Sequence, residues 1–380
     1  MKRISVAVIL CALLVCTAAP AFAATPPEPA AHSALLMDAA SGQILYEKNS
    51  HERLHPASVT KIMTLLLTME AIDGGTVSLD EVITASEHAS SMGGSQIYLE
   101  PGEQMTLGEL LKAVTVASAN DACVAISEHL AGSEESFVAR MNERAAELGM
   151  EDTHFVNCTG LDADGHLTTA YDIALMSREL LKHDLIRNYT TIWMDSVRGG
   201  EFGLTNTNKL IRFYNGATGL KTGFTNDAGY CISATAERDG MELICVIMKS
   251  DTSPHRNADA SALLNFGFAN YAAVHLGDPA GYGTVPVKLG VCDSVETQLS
   301  GENTVILEKA DASRVESNVE WLPPPTAPVD SGQILGYCTL SLDGQTLAKL
   351  PITAAHPVEK LCTGDIFRDL LQNITGRIPQ

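Results

Sequence analysis

Helical periodicity runs through the longer N-terminal part of the chain and stops near Gly277; beyond Gly283 the sequence alternates in short runs. Such a break predicts two units of different class. Before it, Ile62, Leu65, Leu66, Met69 and Ile72 recur at helical spacing over 58–72, and Gly74-Gly75 stops them. Further helices are predicted over 106–117, 119–131, 134–148, 170–182 and 257–273. Residues 34–49 read as a hairpin turning at Ala39-Ala40-Ser41-Gly42. Strands are predicted over 228–237 and 241–249, joined at Arg238-Asp239-Gly240. After the break, runs such as Val285-Pro286-Val287-Lys288-Leu289 predict a small all-β domain, with Pro323-Pro324-Pro325 as a stiff connection inside it.

The chain opens on Lys2 and Arg3, an apolar run over 4–16, and Ala21-Phe22-Ala23, whose small residues suit signal peptidase. That run is too short to span a bilayer. A signal peptide over 1–23 is therefore expected, followed by a flexible Pro-rich lead-in over 24–32 and a protein that works outside the cytoplasm. With 45% apolar residues in 380, the chain has ample material for a core, which excludes global disorder. A net charge of −21 repels phosphate backbones and excludes nucleic acid as a partner. Seven cysteines follow the signal: Cys123, Cys158, Cys231, Cys245, Cys292, Cys338 and Cys362. They are widely spaced, lack CxxC, and read as buried small apolar residues, with one or two disulfides as the alternative. No HExxH occurs, so neither a metal nor a cofactor is expected. In the tail over 363–380, Ile366, Phe367, Leu370, Leu371, Ile374 and Ile378 share one helical face. That face either lies on the outer surface of the cytoplasmic membrane or caps the β domain.

Three short strings bear chemistry. In Ser58-Val59-Thr60-Lys61 the spacing puts Ser and Lys on one helical face near a helix N-terminus, where a nucleophile has a base one turn away and unpaired N–H groups beside it. Alone, SxxK also describes a capped helix with a solvated Lys. Ser118-Ala119-Asn120 offers a hydroxyl for proton relay and an amide for positioning, but Ser and Asn are equally ordinary helix caps. In Lys221-Thr222-Gly223, Lys supplies charge, Thr a hydroxyl, and Gly removes a side chain that would obstruct a substrate lying along the strand. The order SxxK, SxN, KTG, each once, with gaps of about 60 and about 100 residues, leaves chance a poor explanation; it is the constellation of penicillin-recognising serine enzymes.

At this point the chain resembles the low-molecular-mass penicillin-binding proteins that act as D-alanyl-D-alanine carboxypeptidases, serine peptidase family S11. The likeness runs from about Ser33 to Tyr271. It includes Gly93-Gly94-Ser95, Tyr98, Asn157 with Gly160-Leu161, His166 followed by Thr168-Thr169-Ala170 and Asp172, Gly219-Leu220 before the KTG, and Ala228-Gly229-Tyr230 after it. The resemblance implies an α/β (α+β) transpeptidase-like domain over 33–276, an antiparallel sheet with a helical lobe and the site between them, then a small all-β domain over 280–362. It implies that Ser58 is acylated, Lys61 takes its proton, and Ser118 relays a proton to the leaving D-alanine. Asn120 orients Lys61 and the substrate amide, Lys221 and Thr222 engage the terminal carboxylate, and the Ser58 and Phe224 N–H groups form the oxyanion hole. The implied partners are a peptidoglycan stem peptide ending in D-Ala-D-Ala as substrate and β-lactams as covalent inhibitors. Several family members carry His where Phe224 stands, and some have a carboxylate-binding Arg upstream of the KTG that is missing around Asn206-Thr207-Asn208.

Two other readings compete. A serine β-lactamase needs fast water attack on the penicilloyl ester, and in one class a Glu in an ExxLN string holds that water. Here the nearest string, Ser261-Ala262-Leu263-Leu264-Asn265, has Ser in its place, and the second motif is SAN rather than SDN. A non-enzymatic binder on the same scaffold would have lost a catalytic residue, whereas Ser58, Lys61 and Ser118 are all present. Free Lys, with a pKa of about 10.4, is a poor base at neutral pH. Burial and a second cation, Lys221, are expected to lower that of Lys61.

Overall fold

The computed structural model describes residues 25–275, 282–301 and 304–364; the expected signal peptide over 1–23 and the amphipathic helix beyond residue 364 lie outside them. The first domain is built on strands β1 (Ser33–Asp38), β2 (Ile44–Lys48), β3 (Ala217–Thr225), β4 (Gly229–Arg238) and β5 (Met241–Ser250). They form one antiparallel sheet in the order β2-β1-β5-β4-β3. Leu243–Met248 is an unbroken apolar run, buried throughout. This is what a central strand covered on both faces requires.

Five helices do the covering: α1 (Lys61–Asp73), α2 (Asn120–Ala131), α3 (Glu134–Glu147), α4 (Ala170–Leu180) and α5 (Ser253–Asn270). On one face Leu263, Leu264 and Phe268 of α5 pack on Leu36, Cys245 and Ile247. On the other, α1 and α4 meet Leu35, Met37, Ile244 and Val246, and α2 and α3 extend this cluster into the helical lobe. Helix α1 is apolar on nearly every side because it is the core helix between sheet and lobe.

Three expectations change in detail. The helix expected from Ser58 begins as a tight 3-10 turn, Ala57–Thr60, before α1. The helix expected over 106–117 is α-helical only over Leu107–Lys112; Ala113–Ala117 widen into a π-turn that ends at Ser118 with φ 64°. Thr115 sits inside that turn and its hydroxyl bonds back to Leu111 O, a contact that loosens a helix. The helix expected over 257–273 starts earlier, at Ser253, with Thr252 as cap and Pro254 in the first turn. It ends at Asn270, and Tyr271–His275 is strand β6.

Strands β7 (Thr284–Pro286), β8 (Ser294–Leu299), β9 (Thr304–Glu308), β10 (Val315–Trp321), β11 (Ile334–Leu342) and β12 (Gln345–Ala354) build the all-β domain, whose one described helical segment with an intact turn is Lys309–Ala312. The antiparallel sheet runs β7-β8-β12-β11-β10, and β9 pairs with β6, so strand pairing continues from the first part of the chain into the second. The lead-in carries no helix or strand over 25–32, yet it is tied down: Ala30 and Ala31 N–H donate to Asp259, and Lys48 donates to Pro29 O. Five cysteines are buried as expected; Cys292 and Cys362 are exposed instead, on the surface of the β domain.

Candidate active site

The turn Ala57–Thr60 is forced into place by backbone crowding. Ala57 has φ 49°, and a Cβ on Gly160 would fall 1.9 Å from Ala57 O. On the other side, a Cβ on Gly223 would lie 2.8 Å from Pro56 O and 3.0 Å from Ser58 N. Both glycines exist because neighbouring backbone occupies the space a side chain would need. The sequence-based expectation for Gly223 was a cleared substrate path; the space is filled by the turn carrying Ser58.

Lys61 is fully buried one turn from Ser58. Its Nζ lies 3.0 Å from Ser58 Oγ, 2.6 Å from Asn120 Oδ1 and 2.7 Å from the Thr159 carbonyl. The last two can only accept. In a neutral amine they take both N–H groups, and the lone pair is left facing the Ser58 hydroxyl. Burial lowers the Lys61 pKa, which favours that neutral form. The Asn120 amide cannot swap ends, because its Nδ2 donates to Gly93 O at 2.7 Å. Asn120 N–H also donates to Ser95 O, and the buried Asp121 carboxylate accepts from Ile97 and Leu99 N–H, which pins the 93–99 segment beside the site.

The π-turn delivers Ser118 to β3, where Lys221 Nζ donates to Ser118 Oγ at 2.8 Å and to Thr222 O at 2.9 Å. Burial, then repulsion from Lys61, holds the Lys221 pKa well below its ordinary value. The expected division of labour between the amines is thus revised: burial depresses Lys61, and the like-charge effect falls on Lys221. Thr222 donates to Thr207 Oγ1 at 2.7 Å, and the Phe224 ring stacks 4.3 Å from Tyr230, half exposed at the mouth.

All eight residues singled out from sequence (Ser58, Lys61, Ser118, Asn120, Lys221, Thr222, Gly223 and Phe224) therefore meet between sheet and helical lobe. A cavity of about 250 Å³ opens there, lined by Ser58, Ser118, Thr222 and Phe224, by Ser95 of the Gly93-Gly94-Ser95 stretch, and by Arg256, which the sequence reading did not single out. Arg256 is 4% exposed and bonds to Ser253 Oγ, Asn257 Oδ1 and Cys231 O, all neutral; burial depresses its pKa to about 10. It brings from α5 the guanidinium that the segment around Asn206 lacks. Thr159 also escaped sequence reading, because it acts through its backbone carbonyl. The signal was indirect: the Asn157 side chain folds this turn, accepting from Thr159 and Gly160 N–H and donating to Leu161 O. His166 buttresses it from behind, with Nδ1 accepting from Val156 N–H and Nε2 left to bond Thr60 Oγ1 at 2.8 Å.

Among the described residues no cluster of His, Cys, Asp or Glu could hold a metal ion, and no Asp or Glu hydrogen-bonds to Ser58, Lys61, Ser118 or Lys221. Ser261 of the near-miss ExxLN string sits on α5, away from this cavity, whose lining residues do not include it.

Comparison with known proteins accords with this layout. A sequence model of D-alanyl-D-alanine carboxypeptidases (Peptidase S11) matches residues 20–252, and one of the C-terminal domain of penicillin-binding protein 5 matches residues 273–360. The D-alanyl-D-alanine carboxypeptidase DacF of Bacillus subtilis is 43% identical over 335 residues, 87% of this chain and 86% of that protein. The crystal structure of penicillin-binding protein 5 from Haemophilus influenzae superposes with a TM-score of 0.74 at 29% identity, covering 89% of this chain and 100% of that one. Penicillin-binding protein D2 of Listeria monocytogenes, solved in its ampicillin-bound form, superposes with a TM-score of 0.59 at 32% identity over 64% of this chain and 100% of that one.

Proposed function

The chain belongs to the D-alanyl-D-alanine carboxypeptidase family, and on that premise we propose a residue-level mechanism for it. The enzyme is a serine-type hydrolase that removes the terminal D-alanine from peptidoglycan stem peptides. The terminal carboxylate is drawn to Lys221, Thr222 and Arg256, a cationic pocket with no carboxylate of its own. Ser58 Oγ attacks the carbonyl of the penultimate residue while its proton passes to Lys61 Nζ. Charge developing on the carbonyl oxygen is met by the Ser58 and Phe224 N–H groups, which Gly223 allows to approach each other. Ser118 hands a proton, supplied from the Lys221 side, to the nitrogen of the departing D-alanine. Lys61 passes the proton it took from Ser58 on through Ser118 to the Lys221 side, which restores the amine, and water then attacks the Ser58 ester with Lys61 again as base, its proton reaching Ser58 Oγ as the ester breaks. The observation that carries this reading is the Lys61 amine, 3.0 Å from Ser58 Oγ, with its other two directions occupied by carbonyl oxygens.

β-Lactams acylate the same Ser58, and the bulky ester is lost slowly, since among the described residues no carboxylate hydrogen-bonds to Ser58, Lys61, Ser118 or Lys221 to speed water attack as in a β-lactamase. A β-lactamase would turn nitrocefin over rapidly; this protein is acylated by it and deacylates slowly, so it is inhibited. The residues divide into a carboxypeptidase domain over 33–276, a β domain over 280–362 and a tail over 363–380. The protein is exported by its N-terminal signal and acts on the wall side of the cytoplasmic membrane, with the tail as a peripheral contact. Among the described residues no helix is long and apolar enough to cross a membrane.

Mass spectrometry after penicillin exposure tests the assignment. The expected result is one penicilloyl adduct on the Ser58 peptide, with release of D-alanine from diacetyl-Lys-D-Ala-D-Ala. An adduct elsewhere, or activity surviving Ser58→Ala, overturns it.

A further inference from the structure

Cys123 on α2 and Cys158 in the segment leading to Thr159 are both fully buried, with sulfur atoms 3.9 Å apart. The Cys123 thiol donates to the Cys158 carbonyl at 3.2 Å, and Thr64 of α1 donates to the same carbonyl at 2.8 Å. Each cysteine adjoins one of the two acceptors that hold the Lys61 amine. Cys123 is one turn along α2 from Asn120, and Cys158 precedes Thr159. The acyl-transfer chemistry uses neither sulfur.

We propose that Cys123 and Cys158 are a covalent modification site, closing to a disulfide by exchange with an external disulfide, and that closure slows acylation by drawing the Thr159 carbonyl away from Lys61. The Cys123 thiolate attacks one sulfur of the external disulfide, RSSR, and expels RS⁻, giving a mixed disulfide. The Cys158 thiolate then attacks Cys123 Sγ and expels a second RS⁻. Two protein thiols are oxidised, one RSSR is reduced, and the two thiol protons end on two RSH. The order follows from the environment. Burial penalises the Cys123 thiolate, but its contact with Cys158 and the charge of Lys61 outweigh that and lower its pKa, whereas burial pushes that of Cys158 up.

A disulfide bond is about 2.05 Å long, so the sulfurs must approach by roughly 2 Å from their separation of 3.9 Å. Helix α2 is packed into the core over Asn120–Ser127 and resists moving. The segment carrying Cys158 and Thr159 is held by side-chain hydrogen bonds, so it takes up the displacement. External oxidant reaches the pair through transient opening of that segment.

The test uses the folded protein with the exposed Cys292 and Cys362 changed to Ser, treated with excess 4,4′-dithiodipyridine. Peptide mapping is expected to show the Cys123 and Cys158 peptides joined, about 2 Da lighter than the sum of the reduced pair. Penicillin acylation of Ser58 is expected to slow by about tenfold, with dithiothreitol restoring both peptides and rate. Cys123→Ala should abolish both the link and the sensitivity. Should that variant not fold, Cys158→Ala is expected to stop at the pyridyl mixed disulfide on Cys123 with no cross-link. Absence of the linked peptide in the folded protein overturns the proposal, as does a linked protein that acylates as fast as the dithiol form.

Discussion

Lys221 on β3 donates a hydrogen bond of 2.8 Å to the hydroxyl of Ser118, a residue 103 positions earlier at the end of a π-turn. That one contact ties the sheet to the helical lobe across the cavity and gives the Ser118 proton a defined neighbour. Replacing Ser118 with Ala removes the relay but leaves the fold, since Ser118 is small and its backbone is held independently. Acylation by peptide and by penicillin is expected to fall by about 100-fold or more. Stopped-flow measurement checks it; a rate within tenfold of the unmodified enzyme refutes the relay.

The buried Lys61 amine makes acylation pH-dependent. Burial lowers its pKa, and the reactive form is the neutral one, so the rate rises with pH along a limb whose apparent pKa lies below the ordinary lysine value of about 10.4. Because Lys61 and Lys221 interact, that pKa belongs to the pair. Lys61→Arg should remove the limb together with most of the activity. A pH profile flat through neutrality and the alkaline range would count against Lys61 as base.

Arg256 contributes a guanidinium whose partners in the protein are neutral. Arg256→Gln is expected to raise KM for a peptide with a free C-terminal carboxylate by about tenfold, with a much smaller change in kcat. The same peptide with an amidated C-terminus, already a poor substrate, should not tell the two proteins apart. Equal loss on both peptides would mean that Arg256 acts through packing instead.

Gly160 and Gly165 separate backbone strain from steric overlap. Both have positive φ, 85° and 81°, but a Cβ would fall 1.9 Å from Ala57 O at Gly160 and meets nothing at Gly165. Gly165→Ala should cost about 1 kcal/mol, the left-handed penalty alone. Gly160→Ala should cost about 3 kcal/mol or more and displace the turn that carries Ser58. Urea unfolding of the two variants and penicillin uptake measure both effects; equal destabilisation would show that the contact with Ala57 is unimportant.

His166 predicts an acid limb of stability. Burial holds its pKa at about 4, against an unfolded value of 6.5. Its neutral form is favoured in the folded state, so the contribution is complete above about pH 6.5, falls as the unfolded chain takes up a proton, and is lost below about pH 4. The span corresponds to about 3 kcal/mol. His166→Asn should flatten the dependence of unfolding free energy on pH across that window. An unchanged slope would show that other groups carry the acid limb.

Much of this protein can be read from its side chains alone. Ser58, Lys61, Ser118, Asn120, Lys221 and Thr222 offer functional groups whose chemistry is written in their identity, and the order of their motifs narrows the choice further. The change from helical to alternating periodicity near Gly277 likewise reports two architectures, because burial periodicity follows directly from helix and strand geometry. The sequence did not show which distant groups would share a space. Thr159 contributes a carbonyl that every residue type possesses. Arg256 arrives from a helix on the far side of the KTG strand. Gly223 is needed by Pro56 and Ser58, residues more than 160 positions earlier. The π-turn at Ala113–Ala117 and the end of α5 at Asn270 were misread for a related reason: a one-residue change in helical winding, or a strand pairing with Thr304–Glu308, is decided by partners that local periodicity does not contain. The sequence by itself determined the chemistry on offer and the class of each domain; the tertiary structure decided the distances, the burial that lowers the Lys61 pKa, and the backbone contacts that put Ser58 within its reach, because those depend on long-range packing.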